Sequence, residues 1–552
     1  MASLLATVRD LDRLRQITIV LGKHGFGEFI ARTGLVSLLG SAKAASIPPL
    51  SVGVRIRLVL EELGPSFVKL GQIVSTRPDL IPAEVVRELK KLQDEVPPVS
   101  FEELKPHLEK ELGAGISEVY ETFNERPLAS ASIAQVHRAT LRNGDVVEEV
   151  VVKVQRPGIQ RIIETDLDLL YWLARVVERS IPESKSYAPV KLVEEFDRAI
   201  KAELDFKLEA DNAERFAENF RSDPNIVFPK IYRSASSRRA LTLEFFDGKK
   251  VHDAVRDGAS GETIARASVG IFMKQIFEDG FFHADPHPGN VFILGTPENP
   301  ILGFIDLGLV GRLTPKLRDL TVDLMVAAFR KDHRGMADAL YTIGRPTKKV
   351  DRDAFEAEVA VLSDKYLGKK LADMELSGMI GDLVYGATKY GLEIPPDFLL
   401  VGKCLVTVEG IGKEIYPELD VFQEIQPFFL RVMKERYSPE RMTQDALRQM
   451  LRLSSVANDM PLQVQEILDD LRKGSLRLQI NEPSLAIAAE RVGRRIFSGL
   501  IVAACLLSGA ILISSDHAAL GIGAAVLGVV WATAHTSLVY WIGRSSRALR
   551  ER

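Results

Sequence analysis

Two uncharged runs near the end of the chain limit what the rest of it can be. The stretch "IFSGLIVAACLLSGAILISS", residues 496–515, has no charged side chain and is about as long as the roughly 20 residues a helix needs to cross a bilayer. A second uncharged run, residues 518–543, follows after only Asp516 and His517. A connection that short makes the expected pair of transmembrane helices an antiparallel hairpin. Arg491, Arg494 and Arg495 precede the pair, and Arg544, Arg547, Arg550 and Arg552 follow it. The positive-inside rule then puts both ends, and everything before them, on the cytoplasmic side.

The remaining chain is too long for one core, since it brings the total to 552 residues. Its 75 acidic and 71 basic residues leave a net charge of −4. No global positive field exists to gather nucleic acid, which is excluded as a partner. The two cysteines, Cys404 and Cys505, lie far apart, so neither a disulfide framework nor a thiolate zinc site is expected. The opening "MASLLATVRDLDRLRQITIVLGKHGF" carries Asp10 and Asp12 in its apolar region and no cleavage pattern, unlike a signal peptide. It reads as an amphipathic helix that either packs on the protein itself or lies on a membrane, packing being the favoured alternative.

Helical periodicity runs from about Val54 to Leu112, broken by Pro65, Pro78, Pro82 and the Pro97-Pro98 pair. "VYETFNERPLASASIAQVHRATL" and "VVEEVVVKVQRP" then read as strands joined at Asn143-Gly144, a strong hairpin dipeptide. One helix is expected from Pro189 to Phe220, and a strand at "RALTLEFF". Helices dominate from there to about Leu478, interrupted only around "FFHADPHPGNVFIL". A mostly β lobe therefore precedes a mostly α lobe, an α+β chain. The expected divisions are a helical extension over 1–115, a small lobe over 116–247, a large lobe over 248–425, a helical tail over 426–490 and the membrane hairpin over 496–543.

Lys153 in "VVVKV" places an ammonium on an otherwise apolar strand, where it needs an anionic partner. Just before it, the small residues of "ASASIAQVH" let backbone amides approach a bound group closely, as phosphate-binding loops do. Candidate partners for the lysine are Glu203, Asp205 and Glu209 in "KAELDFKLEADNAERF". On one straight helix Glu203 and Glu209 project about 120° apart, so only one of them can face the lysine. Asp285 and Asn290 in "HADPHPGN", with Asp306 in "GFIDLG", form a set of hard oxygen donors at the ends of two strands. Such a set suits Mg²⁺ bridged to nucleotide phosphates. A metallohydrolase built on His283, Asp285 and His287 would need further ligands that the nine histidines do not form.

The order and spacing of Lys153, the downstream glutamates, "HADPHPGN" and "DLG" resemble the protein-kinase signature set. "FVKLGQIVSTRPDLIP" adds a KxGQ motif in Lys69, Gly71 and Gln72, "ELDF" adds an ExD motif, and an Ala/Ser-rich loop stands where kinases have glycines. With these, the chain from about Leu58 to Leu419 resembles the UbiB family of atypical kinase-like proteins of ubiquinone biosynthesis. The resemblance implies a bilobal protein-kinase-like fold that binds ATP and Mg²⁺. Its nucleotide loop would comprise Ala129, Ser130, Ala131, Ser132 and Ile133, continuing through Ala134, Gln135, Val136, His137 and Arg138. Lys153 would contact phosphate with Glu209 as its ion-pair partner, Asp285 would be the catalytic acceptor, and Asn290 and Asp306 would hold Mg²⁺. The strand end from Glu244 to Phe246 would offer backbone groups to adenine, and His283 would be structural. Lys69 and Gln72 would belong to a regulatory extension covering the site where a protein substrate docks, with Glu203 and Asp205 facing it.

The chain departs from ordinary kinases in having no APE-like segment and no long activation loop after Asp306. The resemblance accordingly implies an ATPase or small-molecule kinase at the bacterial inner membrane, facing the cytoplasm. It would support ubiquinone biosynthesis or prenyl-lipid handling, with a membrane lipid or quinone precursor and other ubiquinone-biosynthesis proteins as partners. Two other classes stay open, a membrane-tethered protein serine/threonine kinase and a non-catalytic scaffold of a lipid-biosynthetic complex.

The expected topology is open to a direct test. With Asp516→Cys and Leu549→Cys placed singly in intact cells, a membrane-impermeant thiol reagent is expected to label position 516 and spare 549. Labelling at 549 alone would invert the arrangement.

Overall fold

The computed structural model of the chain describes residues 2–34, 50–75, 81–92, 96–181, 184, 188–367, 376–436 and 443, and near the end 497–508, 510–511, 520, 522–524 and 526–533. It falls into two compact units, Met1–Arg441 and Met442–Arg552.

The first unit begins with α1 (Ala2–Lys23), α2 (Gly27–Thr33), α3 (Val52–Leu63), α4 (Pro65–Val74), α5 (Ala83–Leu89), α6 (Phe101–Leu112) and the short α7 (Ile116–Val119). Pro65 opens α4 at a position whose N–H has no helical partner to lose. Gly71 lies where α4 meets its neighbours: a Cβ there would stand 2.7 Å from Leu60 and 2.3 Å from Leu92. The glycine of the KxGQ motif thus lies in close contact with the ends of two leucine side chains. The extension is pinned by Arg13 of α1, whose guanidinium meets both carboxylate oxygens of the fully buried Asp166 at 2.7 and 3.1 Å and also donates to Leu63 O.

The small lobe is a five-stranded antiparallel sheet of β1 (Thr122–Phe123), β2 (Ala129–Ser130), β3 (Ala134–Asn143), β4 (Val146–Gln155) and β6 (Ala240–Glu244), ordered β1-β3-β4-β6 with β2 also on β3. Asn143 pairs with Val146, so Gly144 and Asp145 form the turn, one residue later than the Asn-Gly dipeptide suggests. Gly144 (φ +66°) supplies the positive φ that a two-residue hairpin needs at its first central position. Between β4 and β6 come α8 (Ile159–Ser180), α9 (Pro189–Glu203), α10 (Phe206–Asn219) and the two-residue β5 (Ile226–Val227). The single helix expected over 189–220 is therefore two. It breaks at Leu204–Asp205, where Gln155 Nε2 donates to Leu204 O, Asp205 caps α10 by accepting from Lys207 N, and Phe206 N donates to Arg238 O.

The large lobe continues through β7 (Lys249–Lys250), α11 (Val251–Arg256), α12 (Gly261–Met273), β8 (Phe281–His283), β9 (Val291–Thr296), β10 (Asn299–Phe304) and β11 (Val310–Arg312). It ends in α13 (Pro315–Phe329), α14 (His333–Ile343), β12 (Arg345–Pro346), α15 (Arg352–Leu367), α16 (Leu376–Lys389), β13 (Leu392–Glu393), α17 (Pro396–Ile415) and α18 (Val421–Arg436). A second sheet, β5-β10-β9-β7, and the ribbon β8-β11 carry the loops of interest. The core beneath them is rich in phenylalanine, with Phe216, Phe281, Phe282 and Phe304 fully buried. The α+β, kinase-like architecture expected from the sequence is present in this unit.

In the second unit the described residues of the expected hairpin are helical. Trp531 Nε1 donates to Ser498 Oγ at 3.2 Å, and a Cβ on Gly528 would lie 3.0 Å from Cys505. These contacts run antiparallel. Among the described residues no helix is long and apolar enough to cross a membrane. Most of the tail over 426–490 beyond Arg436, and the remainder of the two expected spans, lie outside the described residues.

Helix α12 meets the end of α17 without clearance: a Cβ at Gly261 would sit 2.3 Å from the Ile415 carbonyl oxygen. Backbone rather than a flexible side chain must yield, so Gly261→Ala is expected to destabilise the chain by about 1–3 kcal/mol in denaturant unfolding.

Candidate active site

Alternation along β3 and β4 decides which side chains reach the cleft between the lobes, because successive residues of a strand point to opposite faces. Lys153 of β4 lies opposite Val136 of β3 and Leu241 of β6 and shares their face. Its Nζ donates to Glu209 Oε1 and Oε2 at 3.0 and 2.9 Å and to Asp306 Oδ1 at 3.0 Å. The ring of Phe206 lies 5.3 Å from the same ammonium. Three distant segments thus meet at one lysine.

The break between α9 and α10 settles which glutamate meets it. Glu209 sits in the first turn of α10 and takes Lys153, whereas Glu203, the last residue of α9, takes Lys69 Nζ at 2.6 Å. Asp205, expected to face the extension with Glu203, instead caps α10 and pairs with Arg238 Nε at 3.1 Å. Gln72 donates its amide to Leu92 O at 3.3 Å, within the extension itself.

Charge coupling follows the geometry. Burial works against the Lys153 ammonium, yet Asp306 and Glu209 outweigh it and hold the lysine protonated well above its ordinary range. Burial raises the Glu209 carboxyl, and Lys153 offsets this only in part. Asp306 keeps 54% of its exposure, and Lys153 draws it down to about 2, with Lys69 adding to the effect.

Asp306 follows β10 and adopts φ +57°, a left-handed conformation that Asp tolerates better than most residues. Asn290 precedes β9, and Ile305 N donates to Asn290 O at 2.9 Å, so the antiparallel β9-β10 pair brings Asn290 and Asp306 to the same end. The Asn290 amide nitrogen donates to Asp285 O at 3.2 Å, which leaves its side-chain oxygen as the acceptor for a ligand. Among the described residues no cluster of three or more His, Cys, Asp or Glu forms a self-contained metal site. Two hard oxygen donors fit Mg²⁺, which is held by few protein groups and completed by substrate and water. Asp285 is half-exposed, with Lys403 Nζ 2.8 Å from its Oδ1. His283 is fully buried; burial lowers its pKa, and its Nδ1 lies 3.4 Å from Leu309 O, a structural placement.

The expected nucleotide loop divides between two faces. Ala134, Val136 and Arg138 share the face of Lys153. Gln135 and His137 turn away and are fully buried: Gln135 accepts from Val99 N and donates to Val99 O, and His137 stacks on Phe123. Gln135 joins the small lobe to the linker before α6, and both side chains point away from the face that carries Lys153. In the turn itself, Ala131 N donates to Ala134 O, Ile133 is core, and the Ser132 hydroxyl is buried without a partner among the described residues. Arg156 ties Ala129–Ile133 to the extension, donating to Ala131 O, Ser130 Oγ, Val96 O and Pro97 O. At the expected adenine edge, Glu244 N and Phe245 N already donate to Lys230 O and Glu149 O. The Phe246 ring is buried where a Cβ on Gly303 would be 2.9 Å from it, so it serves packing.

Sequence reading missed Arg156, Lys403 and Asn212, whose buried amide donates to Leu307 O beside Asp306. None of them belongs to a local motif. Only the fold brings each to its partner.

An ABC1 atypical kinase-like domain matches residues 91–340, and a UbiB helical domain matches residues 359–420. The chain is 37% identical over 519 residues to a "probable protein kinase UbiB" of Marinobacter nauticus, covering 92% of this chain and 94% of that one. It is 38% identical over 417 residues to the protein of the same name in Pseudomonas aeruginosa, covering 74% and 78%. A solved structure, the Rv3197–erythromycin complex from Mycobacterium tuberculosis, overlaps 67% of this chain and 93% of its own with TM-score 0.44 and 23% identity.

The two glutamates are expected to differ in what they hold. Glu209→Gln removes the more buried carboxylate, 9% exposed against 28%, and should cost about 1–3 kcal/mol, whereas Glu203→Gln removes the one more open to water and should cost under about 1 kcal/mol. Urea unfolding of the two variants beside the parent protein measures the contrast, and equal losses would contradict it.

Proposed function

The chain belongs to the UbiB family of atypical kinase-like proteins, and on that premise we propose that it binds Mg-ATP and acts as an ATPase or small-molecule kinase. Its activity would support ubiquinone biosynthesis or prenyl-lipid handling at the bacterial inner membrane. The observation that carries the reading is the convergence of Glu209 and Asp306 on Lys153, with Asn290 and Asp285 at the adjoining strand ends. A lone lysine so placed would need one carboxylate for burial; two leave an excess of negative charge that a cation and its nucleotide can balance.

In this reading Lys153 contacts the phosphates and Glu209 orients it. Asn290 and Asp306 would hold Mg²⁺, which when bound neutralises charge developing on the phosphoryl oxygens. Asp285 takes the proton of the attacking hydroxyl or water. Lys69, held by Glu203, fixes the helical extension beside the cleft. An extension lying over the cleft would suit a small substrate better than a protein chain, and the absence of an APE-like segment and of a long activation loop after Asp306 favours the small-molecule reading over a membrane-tethered protein kinase. The apolar C-terminal runs supply the membrane attachment that a quinone precursor or prenyl lipid requires.

The test uses the full chain with its C-terminal runs. Phosphate release from Mg-ATP is expected and should rise when membranes or quinone-like phenols are added, while Asp306→Asn, which removes the charge needed at the metal, should abolish Mg²⁺-dependent nucleotide binding in calorimetry. Unchanged affinity in that variant would sink the kinase-like assignment, and transfer of labelled phosphate to a protein in trans would favour the protein-kinase alternative.

A further inference from the structure

The carboxylate of Asp285 is met by a cation that none of the kinase-like motifs supplies. Lys403 lies in the eighth position of α17, in the segment that matches the UbiB helical domain, more than a hundred residues after the loop it reaches. Its Nζ stands 2.8 Å from Asp285 Oδ1. On either side of it in the helix, Val401, Gly402, Cys404 and Leu405 are buried, so the helix is fixed while this one side chain is turned toward the cleft. Three contacts seat α17. Its end abuts Gly261 of α12, Gly402 packs against Ile380 of α16, and Asp397 in its first turn accepts from Arg312 N of β11, the strand paired with the His283 strand that leads into Asp285.

The energetics argue against a purely structural role. The two side chains keep 30% and 44% of their exposure, and an ion pair so open to water contributes little to folding. The loop already has its structural ties without the lysine: Asn290 Nδ2 to Asp285 O, Asn290 N to His287 O and Gly289 N to His287 Nδ1. The loop histidine nearest the carboxylate in sequence, His287, is thus engaged in capping rather than in meeting Asp285.

We propose that Lys403 of the helical domain is a positioning residue for Asp285, completing the phosphoryl-transfer site from outside the kinase-like core. The inference rests on the Mg-ATP reading above. In the reaction the attacking O–H bond breaks and its proton passes to Asp285. The oxygen forms a bond to the γ-phosphorus as the bond from that phosphorus to the β,γ-bridging oxygen breaks, and the electron pair of that bond leaves with ADP. Lys403 holds the carboxylate in one orientation before the proton arrives, and its positive charge stands beside the transferring group. Because the lysine touches neither the adenine edge nor Lys153 and Asp306, its loss should fall on turnover and spare nucleotide binding.

The test compares Lys403→Met and Lys403→Arg with the parent in the full chain, reading phosphate release and the unfolding midpoint. Lys403→Met is expected to lower kcat about tenfold or more while KM for ATP stays within about twofold and the midpoint is unchanged, and Lys403→Arg is expected to regain most of kcat. If Lys403→Met also lowers the midpoint, the arginine variant decides: recovery of kcat supports the role and no recovery overturns it. A kcat within about twofold of the parent in Lys403→Met, or a loss confined to KM, overturns the role and leaves the Mg-ATP reading standing. A parent protein that releases no phosphate sinks the Mg-ATP reading and this inference with it.

Discussion

Everything in the site depends on one ammonium taken out of water. Withdrawing a lysine from solvent costs several kcal/mol unless anions and hydrogen bonds replace its hydration. Lys153 obtains these from Glu209 on α10 and Asp306 after β10, each at about 3 Å. One partner comes from the small lobe and the other from the large lobe, so the cost of burying a single charge constrains how the two lobes close on each other. The left-handed Asp306 and the break between α9 and α10 are the local adjustments that bring the two carboxylates within reach.

Much of this was legible in the sequence because the determinants are short-range. Alternation in "VVEEVVVKVQ" placed Lys153 on a half-buried face, and the strands around "VFIL" and "GFIDLG" put Asn290 and Asp306 at one end. The resemblance named Glu209 over Glu203, but the geometric argument for choosing between them assumed one straight helix. The break could not be read from 3.6-residue periodicity, since its causes are Gln155 and the Arg238 carbonyl, both remote in the chain. The loop was assigned too broadly for a related reason. A run of small residues marks where a backbone can approach a ligand, but only strand pairing reveals that Gln135 and His137 point the other way.

The extension is closely packed within itself. Asp166 is fully buried under Arg13, and Gly71 permits α4 to lie against Leu60 and Leu92. These contacts hold α4 against its neighbouring helices, and α4 presents Lys69 to Glu203. Gln72, which shares the motif, bonds inward to Leu92 O and helps to hold that arrangement.

Arg156 has a thermodynamic corollary. Its guanidinium gathers the carbonyls of Ala131, Val96 and Pro97 and the hydroxyl of Ser130, which welds the small-residue turn to the linker of the extension. A glycine-rich turn loses conformational entropy when it orders around phosphate, which weakens binding, whereas this one is already tied down by these hydrogen bonds. Any occupant that displaces the turn must also loosen the linker. By reciprocity, whatever grips the extension from outside alters affinity in the cleft by the same factor that the occupant alters the grip.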